Sequence, residues 1–517
     1  MSKRLRVCLA IVFLGALAQA APAAAHDGPF ASTTEGKVRG ERLGGVEAFR
    51  GVPYAAPPAG ERRFAPPARP QRRHGVLDAS GLTPPCPQLE SSNGPTALGE
   101  DCLALDVWRP ASSRGHDRRT GKRPVLFWIH GGGYLNGSAG QHDPSGLVRD
   151  TGTIVVMINY RMGIFGWLAL PSLDEEQGDV SGNAGFLDQQ AALRWVRANI
   201  GQFGGDRSNV TVAGESAGGF AVCEHLTSPG SRGLFARAVI QSGWCPVRTQ
   251  SEALEQGAAT AEALGCSDPV TAASCLRGKD VAALLAGWRG QARPVVGGRA
   301  HPVAPLDAID SGRYNRVPTV IGNTRDEFKF VKLGNPDMTA EELRAAVAAL
   351  YPDDVDAILA EYEGAHPTPA DTHSAVVNDP GICGIHDLAG RLARSTRVWH
   401  YEFDDQDPPP EIGISVNIGA YHSSELQYLF GFRRSDGTAK YQRGLDPAEE
   451  RLADQMIGYW GRFAERGSPG WGWPPFTLSQ PLVLRFQPGG SQVVSSYEAD
   501  HHCGFWRSLG VPLEFRL

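Results

Sequence analysis

The stretch Asn209-Val-Thr-Val-Ala-Gly-Glu-Ser-Ala-Gly-Gly219 constrains the fold of this chain more than any other. Val210 and Val212 alternate with small or polar residues, the period-two pattern of a short strand ending at Gly214. Gly214-Glu215-Ser216-Ala217-Gly218 then fits G-x-S-x-G, a sharp strand-to-helix corner that leaves a serine hydroxyl exposed at the end of a sheet. Side chains in place of the flanking glycines would collide with the neighbouring strand or helix. Phe220-Ala-Val-Cys-Glu-His-Leu226 reads as the helix that follows. In a chain with 63 glycines the five-residue pattern also arises by chance, so its weight comes from its surroundings.

Those surroundings are a series of buried strands and helical stretches. Val125-Leu-Phe-Trp-Ile129 and Thr153-Ile-Val-Val-Met-Ile-Asn159 are continuous apolar runs, as expected of strands covered on both faces. Phe186 to Ile200 carries a helical stripe of Leu187, Ala191, Trp195 and Val196. Ala238–Gly243, Pro318–Gly322 and Val398–Phe403 read as further strands. Phe49 to Pro67 is expected to lack regular structure because of its prolines. Strands interleaved with helices imply a mostly parallel α/β sheet, with its site at the carboxyl ends of the strands.

The strand Val125–Ile129 runs directly into His130-Gly-Gly-Gly133. Acyl transfer builds negative charge on a carbonyl oxygen, and backbone N–H groups must already point there; losing one such donor costs about 3 kcal/mol. Glycines let the backbone come that close, and an H-G-G-G upstream of G-x-S-x-G fits this role.

Met1-Ser-Lys-Arg-Leu-Arg6 is basic, Val7 to Ala18 is apolar, and small-residue sites follow at Ala18-Gln-Ala20 and Ala23-Ala-Ala25. Residues 1–25 therefore read as a secretory signal peptide cleaved after Ala20 or Ala25, with one domain over residues 26–517. Loss of Lys3, Arg4 and Arg6 takes the net charge from −6 to −9, since 47 basic side chains then face 56 acidic ones. Such a chain has no electrostatic case for nucleic acid or anionic membranes. No later segment is long and apolar enough to cross a membrane. The expectation is an exported protein, periplasmic or secreted, whose eight remaining cysteines are free to pair. Cys86 and Cys102 bracket a short polar loop, which suggests a bridge, and Cys266 and Cys275 frame a second small loop.

A serine hydroxyl needs a base, and the base needs a carboxylate that orients it and stabilises its charged form. In sheets of this kind the order is serine, acid, histidine. Asp326 and Glu327 follow the strand Pro318–Gly322 and are the candidate acids. His386, His400, His422, His501 and His502 are the candidate bases. His400 lies mid-strand and reads as core, whereas His422 lies in a loop after a strand and fits best. His501 and His502 beside Cys503 could ligate a metal, but no other cluster has zinc-like spacing, so neither metal nor cofactor is expected.

Together these residues resemble the type-B carboxylesterases, the family of cholinesterases and para-nitrobenzyl esterases. Phe203-Gly-Gly, Val210-x-Val212-x-Gly-Glu-Ser-Ala-Gly218, Glu100-Asp-Cys-Leu-x-Leu-Asp-Val-Trp108, Phe49-Arg-Gly-Val-Pro-Tyr-Ala55 and Glu61-Arg-Arg-Phe64 carry the likeness over nearly the whole chain. The resemblance implies an α/β-hydrolase fold, a large mostly parallel sheet flanked by helices, and hydrolysis of small to medium organic esters through an acyl-enzyme. It implies Ser216 as nucleophile, Glu327 rather than Asp326 as acid, and His422 as base. Gly132, Gly133 and Ala217 would supply the oxyanion N–H groups. Bridges Cys86–Cys102, Cys266–Cys275 and Cys383–Cys503 are implied, leaving Cys223 and Cys245 as thiols, expected to be small buried fillers.

Two departures bear on substrate. Between Cys86 and Cys102 there is no aromatic residue where cholinesterases place a choline-binding tryptophan, so a cation–π site for quaternary ammonium is not expected. Tyr421-His-Ser-Ser424 stands where His-Gly is common. The alternatives are a non-catalytic binding protein on the same fold, or an esterase specialised for feruloyl, pyrethroid or toxin esters.

Overall fold

The computed structural model describes residues 28–111 and 121–515; the expected signal peptide falls on residues outside these. An 11-stranded sheet organises the molecule. Its strands are β1 Glu41–Leu43, β2 Val46–Pro53, β3 Ala104–Pro110, β4 Arg123–Ile129, β5 Ile154–Ile158, β6 Gly205–Glu215, β7 Arg237–Gln241, β8 Thr319–Thr324, β9 Val398–Phe403, β10 Val483–Phe486 and β11 Gln492–Val494. They lie in the order β11-β10-β9-β8-β7-β6-β4-β5-β3-β2-β1. Six of the ten neighbouring pairs are parallel, from β10 across to β5, and antiparallel strands finish both edges.

Alternate residues of each central strand enter different cores, as the pleat requires. Val125, Phe127 and Ile129 of β4 pack into one core, together with Leu193 and Val222 of the helices Ala184–Asn199 and Ala217–Thr227. Leu126 and Trp128 pack into the other, against Met456 and Trp460 of the helix Pro447–Arg466. Both faces are therefore covered, which is why these strands read as unbroken apolar runs.

Two expectations need correction. Phe49 to Pro67 is not all irregular, because β2 includes Phe49 to Pro53. The strand tolerates its proline by ending on it, where no further N–H is needed, and a register shift between Phe49 and Val52 admits Gly51 at φ 70°. Cys223 and Cys245 are not thiols but are joined, with Cα atoms 5.6 Å apart. Cys223 lies on the helix after β6 and Cys245 in the loop after the adjacent β7, so parallel pairing of the two strands brings them together. Cys86–Cys102, Cys266–Cys275 and Cys383–Cys503 are also bonded. Among the described residues no helix is long and apolar enough to cross a membrane.

Candidate active site

Ser216 sits at the carboxyl end of β6 with φ 56° and ψ −124°, a region that a non-glycine residue enters only when its surroundings hold it there. Two hydrogen bonds do so. Ser216 N donates to Gln241 O of β7 at 2.9 Å, and Phe220 N donates to Ser216 O at 2.9 Å as the first turn of the elbow helix. The corner closes only because its glycines lack Cβ atoms: a Cβ on Gly218 would lie 2.0 Å from Ile129 O.

The glycine loop leaves β4, the neighbour of β6, so it arrives beside the serine. Gly132 adopts φ 101°, and a Cβ there would strike Asn136 O. His130 fastens the loop. Its ring stacks on Tyr160 with centroids 4.5 Å apart, and its carbonyl accepts the Tyr160 hydroxyl at 2.7 Å. Burial pushes its pKa down to about 4, so at neutral pH the uncharged ring donates from Nδ1 to Gly131 O at 2.8 Å. Among the described residues no protein group accepts from the N–H of Gly132 or Gly133.

The candidate acid and base come from the ends of β8 and β9. Glu327 is fully buried in the turn after β8, where its Oε1 accepts the N–H of Thr324 at 2.8 Å. Its Oε2 accepts a hydrogen bond from Nδ1 of His422, whose own N–H donates to Glu327 O at 3.1 Å. Asp326 faces elsewhere. Its Oδ2 accepts from Ala420 N at 3.0 Å and from Gln406 at 2.8 Å, and its Oδ1 pairs with Lys329 at 3.2 Å. The other candidate histidines lie apart from the serine. His400 is buried in β9, His501 bridges Asp379 and Glu402, His502 pairs with Glu361, and His386 pairs with Glu498. Among the described residues no three His, Cys, Asp or Glu groups are arranged to hold a metal ion.

Glu215, Ser423 and Glu425 are additions that the sequence reading did not assign. Glu215 Oε1 lies 3.3 Å from His422 Nε2 and accepts the Ser423 hydroxyl at 2.6 Å. Ser423 adopts φ 69°, a left-handed geometry that explains why glycine is common there and what the serine adds. Glu425 is held by Gln241 at 3.1 Å, and Gln241 in turn accepts from Trp460 at 3.0 Å. Burial pushes the Glu215 carboxyl upward and the Glu425 carboxyl up to about 8, so Glu425 is largely uncharged at neutral pH. Burial alone would lower the His422 pKa, but the carboxylates of Glu215 and Glu327 outweigh it and raise the value to about 9. Ser216 Oγ has no hydrogen-bond partner among the described residues; contacts of this kind commonly tighten only when substrate is bound.

A cavity of 350 Å³ opens over this group, lined by His130, Gly131, Gly132 and Gly133, by Ser216 and His422, and by apolar side chains such as Ile414, Ile418 and Phe432. It thus holds a hydroxyl, an imidazole and a glycine backbone around a space the size of a small organic molecule.

Residues 27–506 match the family model described as the carboxylesterase family. Acetylcholinesterase of Bungarus fasciatus is 32% identical over 92% of this chain and 85% of its own. Para-nitrobenzyl esterase of Bacillus subtilis is 32% identical over 85% of this chain and 90% of its own. Fumonisin B1 esterase of Sphingopyxis macrogoltabida is 33% identical over 86% of this chain and 84% of its own. With this sheet, this elbow and a match over nearly all its length, the chain belongs to the carboxylesterase family and is a carboxylic-ester hydrolase.

Proposed function

We propose that the chain hydrolyses small to medium organic esters through an acyl-enzyme on Ser216. The observation that carries this reading is the linked set of Ser216 on its strained corner, His422 beside Glu215, and Glu327 on the far nitrogen of the imidazole. Ser216 Oγ attacks the carbonyl carbon while Nε2 of His422 takes its proton. The Glu327 carboxylate keeps Nδ1 protonated and stabilises the imidazolium. The N–H groups of Gly132, Gly133 and Ala217 receive the oxyanion, each worth about 3 kcal/mol in the barrier. His422 then gives its proton to the departing alkoxide, and water, activated by the same imidazole, releases the acid.

The relatives are named for acetylcholine, a nitrobenzyl ester and a fumonisin, so membership of the family does not select the ester. The cavity narrows the choice. Ser92 and Asn93, from the Cys86–Cys102 loop, and Lys440 paired with Glu411 at 3.0 Å give it a polar end, and Lys440 already stands over the ring of Phe432, 4.4 Å from its centroid. Uncharged esters with a hydroxylated or otherwise polar alcohol suit it best. The four cystines and the basic-then-apolar leader support export to an oxidising compartment. Treatment with a fluorophosphonate should place one phosphonyl group on the peptide carrying Ser216 and abolish hydrolysis of p-nitrophenyl acetate. Label on another serine, with activity lost, overturns the reading.

The reading also predicts a pH profile. Only neutral His422 can accept the serine proton, so kcat/KM of the free enzyme should rise with pH along a limb governed by its pKa of about 9. Glu215→Gln removes the negative charge nearest Nε2 and with it part of what favours the imidazolium. The limb should move to lower pH by about one unit or more. A limb that stays in place in Glu215→Gln would show that Glu215 does not set the charge of the base.

A further inference from the structure

A cavity of 650 Å³ lies away from Ser216 and shares no lining residue with the cavity above the serine. One wall is the C-terminal half of the helix Ala184–Asn199, which presents Arg194 and Trp195. The facing wall is residues 67–72, where Pro67 and Pro70 restrict the backbone and Arg69 and Arg72 border the space. Hydrogen bonds fix the shape. Ala56 N donates to Ala68 O at 2.9 Å, Thr34 N to Asn199 Oδ1 at 2.8 Å, and Arg73 N to Glu35 O at 2.7 Å. The cleft therefore exists before anything enters it.

Its charge runs against that of the chain. Acidic side chains outnumber basic ones overall, 56 to 50, yet three arginines and a single carboxylate, Glu35, line the cleft. Glu35 is already engaged. Its Oε2 accepts Trp195 Nε1 at 3.2 Å, and its Oε1 accepts the Thr34 hydroxyl. Its charge answers Arg73, whose pKa burial lowers against the opposing pull of this carboxylate. Even so, the Arg73 Nε and one of its terminal nitrogens are buried without an acceptor among the described residues. Arg69, Arg72 and Arg194 have neither an ion pair nor a hydrogen bond among the described residues. The wall partly desolvates Arg194, which lowers its pKa with no carboxylate near enough to offset the cost. The helix end accounts for Arg197 in its last turn, which donates to Gly233 O, but not for arginines on the facing wall.

We propose that this cleft binds a compact organic anion with two or more carboxylate or phosphate groups, held between Arg69 and Arg72 on one wall and Arg194 on the other. A guanidinium fork donates two parallel N–H bonds to either kind of oxyanion, so unpaired arginines on facing walls suit this class. The overall negative charge of the chain works against an extended polyanion, so the ligand is one small enough to lie within the cleft. Because the two cavities share no residue, the bound anion is not the ester that Ser216 attacks.

The test is calorimetric titration of the protein with citrate and with pyrophosphate at about 0.15 M salt, where diffuse surface attraction is screened. The wild type should bind at least one of them with a Kd of about 1 mM or tighter. Arg69→Gln, Arg72→Gln and Arg194→Gln should each weaken that binding about tenfold or more, as expected for loss of a charge-assisted hydrogen bond. Arg197→Gln, outside the cleft, should leave it within about twofold. The three cleft variants should melt with the wild type, since none of these side chains has a partner to lose. A preference for citrate assigns the cleft to a polycarboxylate, and a preference for pyrophosphate assigns it to a phosphorylated ligand. Failure of the wild type to bind either anion overturns the proposal. So does binding that all three substitutions leave within about twofold. An equal loss in Arg197→Gln overturns it as well, because the anion would then be responding to general surface charge.

Discussion

Replacing Ser216 by alanine should lower kcat for a nitrophenyl ester by about 10⁴ to 10⁶ and leave the melting temperature within a few degrees of wild type. The expected loss is large because, in the proposed mechanism, the other groups act only through this hydroxyl. Without it the imidazole has no nucleophile to activate, and only the oxyanion N–H groups and substrate binding remain, which leave a residual advantage over water of about 10³ to 10⁴. The expected stability effect is small for a structural reason. Ser216 Oγ has no hydrogen-bond partner among the described residues, so its removal leaves no buried group unsatisfied, and the bonds that hold the corner are made by backbone atoms. Alanine occupies the same φ of 56° at similar cost. Steady-state kinetics and a melting curve on the purified variant decide it: turnover within tenfold of wild type would remove Ser216 from the mechanism.

What the sequence disclosed, and what it hid, followed from how far apart the interacting groups lie. β4 and β5 were legible because every residue from Val125 to Ile129 and from Ile154 to Ile158 is buried, which leaves an uninterrupted apolar run. The elbow was legible because its steric demands fall on five consecutive residues. Glu327 could be separated from Asp326 only by resemblance, since both follow the same strand and the difference is the direction each takes in the turn. The Cys223–Cys245 bond was hidden because β6 and β7 create the proximity, and neither cysteine carries a local sign of it. The contact between Ser423 and Glu215 spans 208 positions and depends on a left-handed backbone at a serine, a geometry no residue pattern announces. Glu215 itself stood inside the elbow in plain view, yet its burial against the base shows only in three dimensions.

Glu327→Gln should lower kcat by about 10³ to 10⁴ with little change in melting temperature, whereas Asp326→Asn should chiefly lower stability. The two side chains are neighbours in the turn after β8, beyond the strand itself, so the alternation of a strand does not separate them; their partners do. Glu327 Oε1 accepts Thr324 N, and its Oε2 accepts from His422 Nδ1. In glutamine the carbonyl oxygen can keep the Thr324 N–H, which turns the NH₂ group toward Nδ1. That group donates, so Nδ1 must become an acceptor and the ring proton moves to Nε2. Such a tautomer cannot take the proton of Ser216, and the negative charge that would stabilise an imidazolium is gone as well. The backbone bond from His422 N to Glu327 O survives, which is why the fold should hardly notice. Asp326 ties the loop of the base to the turn of the acid: its Oδ2 takes the N–H of Ala420, and its own N–H donates to Ala420 O at 3.0 Å. Asparagine keeps one acceptor oxygen but loses the charge that pairs with Lys329 and strengthens those bonds. Kinetics and melting curves on both variants separate the roles. If Asp326→Asn is the inactive enzyme and Glu327→Gln retains turnover within tenfold of wild type, the acid is Asp326 and the turn must rearrange when substrate binds.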